Sequence, residues 1–438
     1  MGRRSLVKIK IFILAIIFSK AQSSCEALCV VPVADLLKKS AYEIFTEINS
    51  AKEAYKSLLM GDTKCKREYQ ILFNELVDIL QIRDEEVQIR VPHIIYFDEE
   101  KNVYTNIYWT LKKNLICLDE LVVRILDLNK VPEKISFNED IKPDKSIVVL
   151  KEPFFAPDGR GFSVGTRFKM IAKNSSYIQS SRVSNETRCT EGYVSCYALS
   201  KNLQEIILEI PRDKLNFYED KNINLRIKDF VKLLKSWANL DSGFIPYLYS
   251  GSSFIYAYHR DEILQRYSDN TFYRDELDVY PYTGFDCSCI ISRATQICNL
   301  PYFYKDSITL ERNLEQLNKF EELSEGDVIW FPGHVVIVSD LKNNLVIEAR
   351  GYASGYGLIH ECHISKMFEN INSFKELFEL KTNHKKLKLL AKDGTLRYII
   401  EEFKILSLKS GLYKEFKSLY DPVNRLDTSK CHSSLFPV

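Results

Sequence analysis

Two segments of the chain carry residue types and spacings that could do covalent chemistry. The first reads Gly284-Phe285-Asp286-Cys287-Ser288-Cys289-Ile290-Ile291-Ser292-Arg293-Ala294. Ile290, Ile291, Ala294 and Ile297 recur at helical spacing, which predicts a helix with Asp286 and Cys287 at its start. Asp286 is a residue type suited to capping that end. A thiol in the first turn feels the positive end of the helix dipole, so the position predicts a Cys287 pKa below that of a free thiol. The second segment reads Gly326-Asp327-Val328-Ile329-Trp330-Phe331-Pro332-Gly333-His334-Val335-Val336-Ile337-Val338. His334 opens a strand directly after a turn, where its ring could reach a neighbouring helix end. A helix-start thiol with a strand-start imidazole is the pair of a cysteine hydrolase. Glu348 is the one charged residue in Val346-Ile347-Glu348-Ala349. A carboxylate there could hold the imidazole in its productive tautomer. Taken singly, each residue also has an ordinary reading. Cys287 could be a small buried hydrophobe or half of a disulfide. His334 could be structural, and Glu348 a strand-edge carboxylate facing water.

These side chains need a helix and a sheet to bring them together, and the surrounding pattern supplies both. Asn222 to Asn239 reads as an amphipathic helix with Ile227, Phe230, Val231, Leu233, Leu234 and Trp237 near one face. The helix near Cys287 follows, then strands at Asp327–Phe331, His334–Ser339, Leu345–Arg350 and Leu358–Glu361. This block, 222–374, predicts an α+β catalytic domain. Upstream, Asp35 to Leu59 has helical spacing, and short strand-like segments follow at Leu72-Phe73, Val77–Leu80, Val87–Ile89 and His93–Tyr96. A second strand-rich block runs from Ser146 to about Ile210, with turns at Pro157-Asp158-Gly159 and Asn185-Glu186. Short strands joined by tight turns predict two small barrels, at 28–125 and 140–217. The remainder, 375–438, is basic and helix- or hairpin-like around Lys392-Asp393-Gly394, with no role assigned.

Composition bounds the setting. The chain has 438 residues, 45% hydrophobic and 27% charged, as in ordinary globular proteins. Its 60 basic and 59 acidic residues cancel, which argues against nucleic acid as a partner. Arg3, Arg4, Lys8 and Lys10 precede a short apolar run, Ile11 to Phe18, and then Ser19-Lys20-Ala21. That is the pattern of an export signal, 1–21, cleaved after Ala21. An uncleaved anchor and a lipid-bearing Cys25 are the competing readings; after cleavage no stable membrane insertion is expected. Eleven cysteines in an exported chain point to disulfides, and Cys25 with Cys29, or Cys189 with Cys196, are near enough in sequence to pair. A metal set from Cys287, Cys289, Cys298, His360, Cys362 and His363 lacks the usual Cys-x-x-Cys spacing, so no metal and no cofactor is expected.

With these residues in hand, the third block resembles the NlpC/P60 family of cysteine peptidases. Family strings "PYxWGG", "DCSG", "GDLVFF" and "HVGIY" correspond to Pro246–Gly251, Asp286–Cys289, Gly326–Phe331 and His334–Val338, in the same order. The resemblance implies a papain-like core with Cys287 as nucleophile, His334 as base and Glu348 as the third polar residue, a position where histidine is common. It further implies that Tyr247 lines the active site and that Asp286 and Ser288 recognise a substrate amine. The implied substrate is a peptidoglycan stem peptide, cut between γ-D-glutamyl and a diamino acid, in the periplasm or cell envelope. The upstream blocks resemble bacterial SH3-like modules, with Val31–Leu36 and Leu72–Leu80 matching the first and Val164–Phe168 the second. Cys289 departs from the family glycine, Ser250 from the first signature glycine and Tyr249 from its tryptophan. Phe254 to Thr283 is an insertion that could gate the cleft. A catalytically silent wall-peptide-binding protein is the alternative reading.

Overall fold

The computed structural model describes residues 25–45, 50–56, 58, 66–123, 127–135, 144–171, 192–256 and 282–412. The expected signal 1–21, the turn at Asn185-Glu186, Cys189 and most of the 254–283 insertion lie outside these residues. The described chain is mixed α/β, rich in strands and with few helices. Among the described residues, no helix is long and apolar enough to cross a membrane.

The first block is a seven-stranded sheet, in the order Arg67–Leu72, Val33–Leu37, Ile107–Leu111, Glu86–Arg90, Leu76–Arg83, Cys25–Cys29 and Leu115–Cys117. The helix expected from Asp35 begins later, at Ala41–Ile44 and Ala51–Lys56. Asp35 lies instead in a strand, where its buried carboxylate accepts from Arg67 Nε and Gln70 Nε2, both at 2.8 Å. A buried, charge-assisted pair across two strands outweighs the weak helical preference of the local pattern. The second block is a five-stranded sheet, ordered Glu205–Pro211, Tyr193–Leu199, Arg167–Met170, Ile147–Leu150 and Leu215–Phe217. Among the described residues both sheets end in unpaired edge strands, so the closed barrels expected from strand spacing are not seen.

In the third block, Asn222 caps the helix Ile223–Ala238 by accepting from Leu225 N at 3.0 Å. The helix buries Phe230, Val231, Leu234 and Trp237, and Trp237 stacks on Phe285 at 5.0 Å beside the nucleophile turn. The six-stranded sheet runs Glu315–Gln316, Lys404–Ser407, Val328–Phe331, His334–Asp340, Leu345–Arg350 and Leu358–His363. Alternation along the strands divides its side chains. Val335, Ile337, Ile347 and Ala349 join the core shared with the helices Ile223–Ala238 and Cys289–Ile297. Phe331, Val336, Val338 and Val346 join a second core with Phe374, Leu377, Leu387, Leu389 and Ile405. The segment from 375 is therefore no appendage. Its strand Lys404–Ser407 pairs inside the sheet, between Glu315–Gln316 and Val328–Phe331.

Every described cysteine is a free thiol, Cys25 and Cys29 included. Those two share one strand, where four residues of extended chain separate them by about 13 Å, beyond the reach of a disulfide.

Candidate functional site

Cys287 sits in the turn that leads into the helix Cys289–Ile297. Asp286 organises that turn. Its Oδ1 accepts from Cys289 N at 2.6 Å, Ser288 N at 2.9 Å and Ser288 Oγ at 3.1 Å. Asp286 and Ser288, expected to recognise a substrate amine, are thus also the cap of the helix, and both are buried. The Cys287 sulfur is buried and held by the backbone N–H groups of Val335 and of Cys287 itself. Val335 follows His334, so the sulfur lies against the start of the His334 strand. Burial pushes the thiol pKa up, and the Asp286 and Glu348 carboxylates add to that; the two N–H groups oppose it without reversing it. Burial and the two carboxylates thus act against the lowering expected from the helix dipole. The dipole acts through partial charges, whereas desolvation and a neighbouring full charge are stronger effects. Burial likewise raises the Asp286 carboxyl, against the hydrogen bonds it accepts.

His334 enters its strand from the turn Pro332-Gly333, with Phe331 and His334 paired across the hairpin. Gly333 holds φ at +79°, a left-handed conformation that glycine adopts at little cost. The imidazole Nε2 lies 2.7 Å from Glu348 Oε2, which leaves Nδ1 as the nitrogen able to take a thiol proton. Glu348 is fully buried on the next strand. Its Oε1 is 3.3 Å from Arg350 Nη1 and 3.0 Å from Nε2 of His360, which stands directly opposite it on the strand Leu358–His363. Burial alone would raise this carboxyl. The bond from His334, the close approach of His360 and the charge of Arg350 overcome that and hold it well below the usual carboxylate range. Glu348 is therefore ionised at any working pH and faces inward, unlike the water-facing carboxylate of the competing reading.

Tyr247 is joined to the nucleophile segment by a bridge to Phe285, and its carbonyl accepts from Tyr352 Oη at 3.0 Å. Burial raises its phenol pKa, and the nearby Cys287 and Asp286 raise it further, so the hydroxyl stays protonated beside the thiol. Ser250, which stands at a signature glycine, holds φ at +52°, so the turn keeps the conformation a glycine would adopt. Gly251 remains glycine for a steric reason: a Cβ there would meet the Gly284 carbonyl at 2.5 Å. Cys289 packs into the apolar core of the first block with Tyr69, Ile71, Ile94 and Tyr108. Its departure from glycine fills a seam between blocks.

The first block fixes the nucleophile helix directly. Arg293, buried in that helix, reaches Glu75 Oε1 at 2.7 Å, Ser252 O at 2.9 Å and Gln70 O at 3.1 Å. Burial would raise Glu75, yet Arg293 and His93 hold it down at about 2. Two further residues, Arg350 and His360, join the site. Arg350 lies two positions after Glu348, hence on the same side of its strand, a spacing that could have flagged it. His360, part of the metal set considered from sequence, stands opposite Glu348 through strand register, which one sequence does not show. Among the described residues, no three His, Cys, Asp or Glu side chains converge to hold a metal ion.

No family model matches the chain, and no curated protein matches its sequence. Solved structures similar to this chain are NlpC/P60 family proteins. An NlpC/P60 family protein from Bacillus cereus ATCC 10987 superposes with a TM-score of 0.47 at 16% identity, over 80% of this chain and 96% of its own. An NlpC/P60 endopeptidase from Photobacterium damselae subsp. piscicida gives 0.39 at 10%, over 87% and 73%. NlpC2 from Trichomonas vaginalis gives 0.29 at 12%, over 79% and 94%. Scores this low leave the functional reading to the site's own residues.

Proposed function

We propose that this chain is an exported cysteine peptidase of the NlpC/P60 type, hydrolysing peptidoglycan stem peptides in the cell envelope. The bond is the one between γ-D-glutamyl and a diamino acid. The observation that carries the reading is the 2.7 Å contact between His334 and the buried, ionised Glu348, with the Cys287 sulfur against the next residue of the same strand. His334 Nδ1 takes the thiol proton as sulfur attacks the scissile carbonyl. Because the thiol is pushed up in the free protein, this transfer accompanies attack and no resting thiolate is needed. The tetrahedral oxyanion forms beside the turn N–H groups. The Ser288 and Cys289 N–H groups donate to Asp286, and the Cys287 N–H, which faces its own sulfur in the free protein, is assigned to the oxyanion formed on the carbon that sulfur attacks. His334 then protonates the leaving amine, and water activated by the same ring releases the acyl group. Tyr247, Asp286 and Ser288 line the acyl side.

The raised thiol also favours a second reading, a wall-peptide-binding protein without turnover. One experiment separates the two. Purified wild type and Cys287→Ala are incubated with stem peptides, and the products are read by mass spectrometry. Cleavage by wild type alone supports the peptidase, equal cleavage by both removes Cys287 from the reaction, and binding with no cleavage supports the silent protein.

A further inference from the structure

The hairpin Leu387–Leu390 and Leu396–Ile400 lies next to the His334 side of the site, and its inner face is only half covered. Register places Leu387 opposite Ile400 and Leu389 opposite Tyr398, so these four share one face. Leu387, Leu389 and Ile400 are 3% exposed or less, whereas Tyr398 on the same face is 43% exposed. The face thus runs from core into open space at Tyr398.

Three contacts tie the hairpin to the elements that carry the site. Arg350, which holds Glu348, also donates from Nη2 to the Leu390 carbonyl at 2.6 Å. Lys392 N donates to Ser354 O at 3.0 Å, just beyond the Glu348 strand. Leu389 bridges Phe368, which packs on Phe331 at 6.2 Å, and Phe331 packs on the His334 ring at 5.3 Å. Burial raises the Tyr398 hydroxyl, and the charges of Arg350, Glu348 and Cys287 all act on it. Its phenol is therefore protonated.

We propose that this hairpin forms the leaving-group wall of the catalytic cleft, with Tyr398 the residue that contacts the substrate beyond the scissile nitrogen. This rests on the peptidase reading above. His334 hands its proton to the leaving amine, so the leaving half must lie beside His334, the side to which Phe331, Phe368 and Arg350 tie the hairpin. The ring offers a flat apolar face to the aliphatic side chain of the leaving diamino acid. The hydroxyl donates to that residue's carbonyl or carboxylate oxygen. Arg350 is a positioning residue that ties this wall to the carboxylate orienting the base.

The test compares two substrates sharing one acyl half: a stem peptide with the diamino acid as leaving group, and its methyl ester, which releases only methanol. For wild type, Tyr398→Phe and Tyr398→Ala, kcat/KM is measured on both. Tyr398→Ala is expected to lower the peptide-to-ester preference about tenfold, mainly through KM, as loss of a hydrogen bond and a ring contact implies. Tyr398→Phe should fall between the two. An unchanged preference overturns the inference, including the case where both substrates are lost equally because the hairpin is merely structural. Wild type that cleaves neither substrate overturns the peptidase reading itself, a different result from either.

Discussion

Glu348 Oε2 lies 2.7 Å from His334 Nε2, with the carboxylate fully buried and the imidazole at the edge of the cleft. A buried anion in that position orients the ring and stabilises the imidazolium that forms when the thiol loses its proton. Glu348→Gln keeps the shape and removes the charge. Its kcat on a stem peptide is expected to fall by about 10²–10⁴-fold with little change in KM. Wild-type kcat in this variant would mean that the ring needs no anion.

The Cys287 thiol is raised first by burial and then by Asp286. Asp286→Asn keeps an acceptor for Ser288 and Cys289 while removing the charge. The pH midpoint for alkylation of Cys287 by iodoacetamide should therefore move down in this variant. In wild type the rate should still be rising above the free-thiol value of about 8.5. A wild-type rate already level at neutral pH would show a resting thiolate and refute the raised thiol.

Glu75 and Arg293 tie the first block to the nucleophile helix. In the folded state Glu75 is held at about 2, below the roughly 4.3 of an unfolded chain. Folding therefore favours its ionised form, a contribution complete above pH about 4.3 and lost as pH falls towards 2. Glu75→Gln should destabilise the protein at neutral pH by about 3–5 kcal/mol, because it leaves a buried guanidinium unpaired. In urea titrations the gap to wild type should narrow between pH 4.3 and 2. A gap independent of pH would assign the loss to packing.

At Gly333 an added Cβ meets nothing within 4 Å, so only the backbone angle opposes a side chain. Gly333→Ala should cost about 1–2 kcal/mol in denaturant unfolding. Because the next residue is His334, kcat should fall further than stability alone explains. An alanine that is neutral in both measurements would mean that the turn adopts another conformation without loss.

The sequence determined the elements nearest the chemistry. Apolar spacing after Cys287 gave a helix, and continuous β-branched runs gave the strands of His334 and Glu348, because these are local patterns read at short range. The amphipathic helix from Asn222 was legible for the same reason. Asp35 has helical spacing yet lies in a strand, because its partners, Arg67 and Gln70, belong to a neighbouring strand that periodicity does not report. The same limit hid the strand Lys404–Ser407, which crosses some seventy positions of chain to pair with Val328–Phe331. Only the tertiary structure decided that Glu348 faces His360 and Arg350, that Arg293 meets Glu75, and that the Cys287 thiol is buried against the Asp286 carboxylate. Each depends on which segments exclude water together, a property of the assembled layers and not of any one stretch of residues.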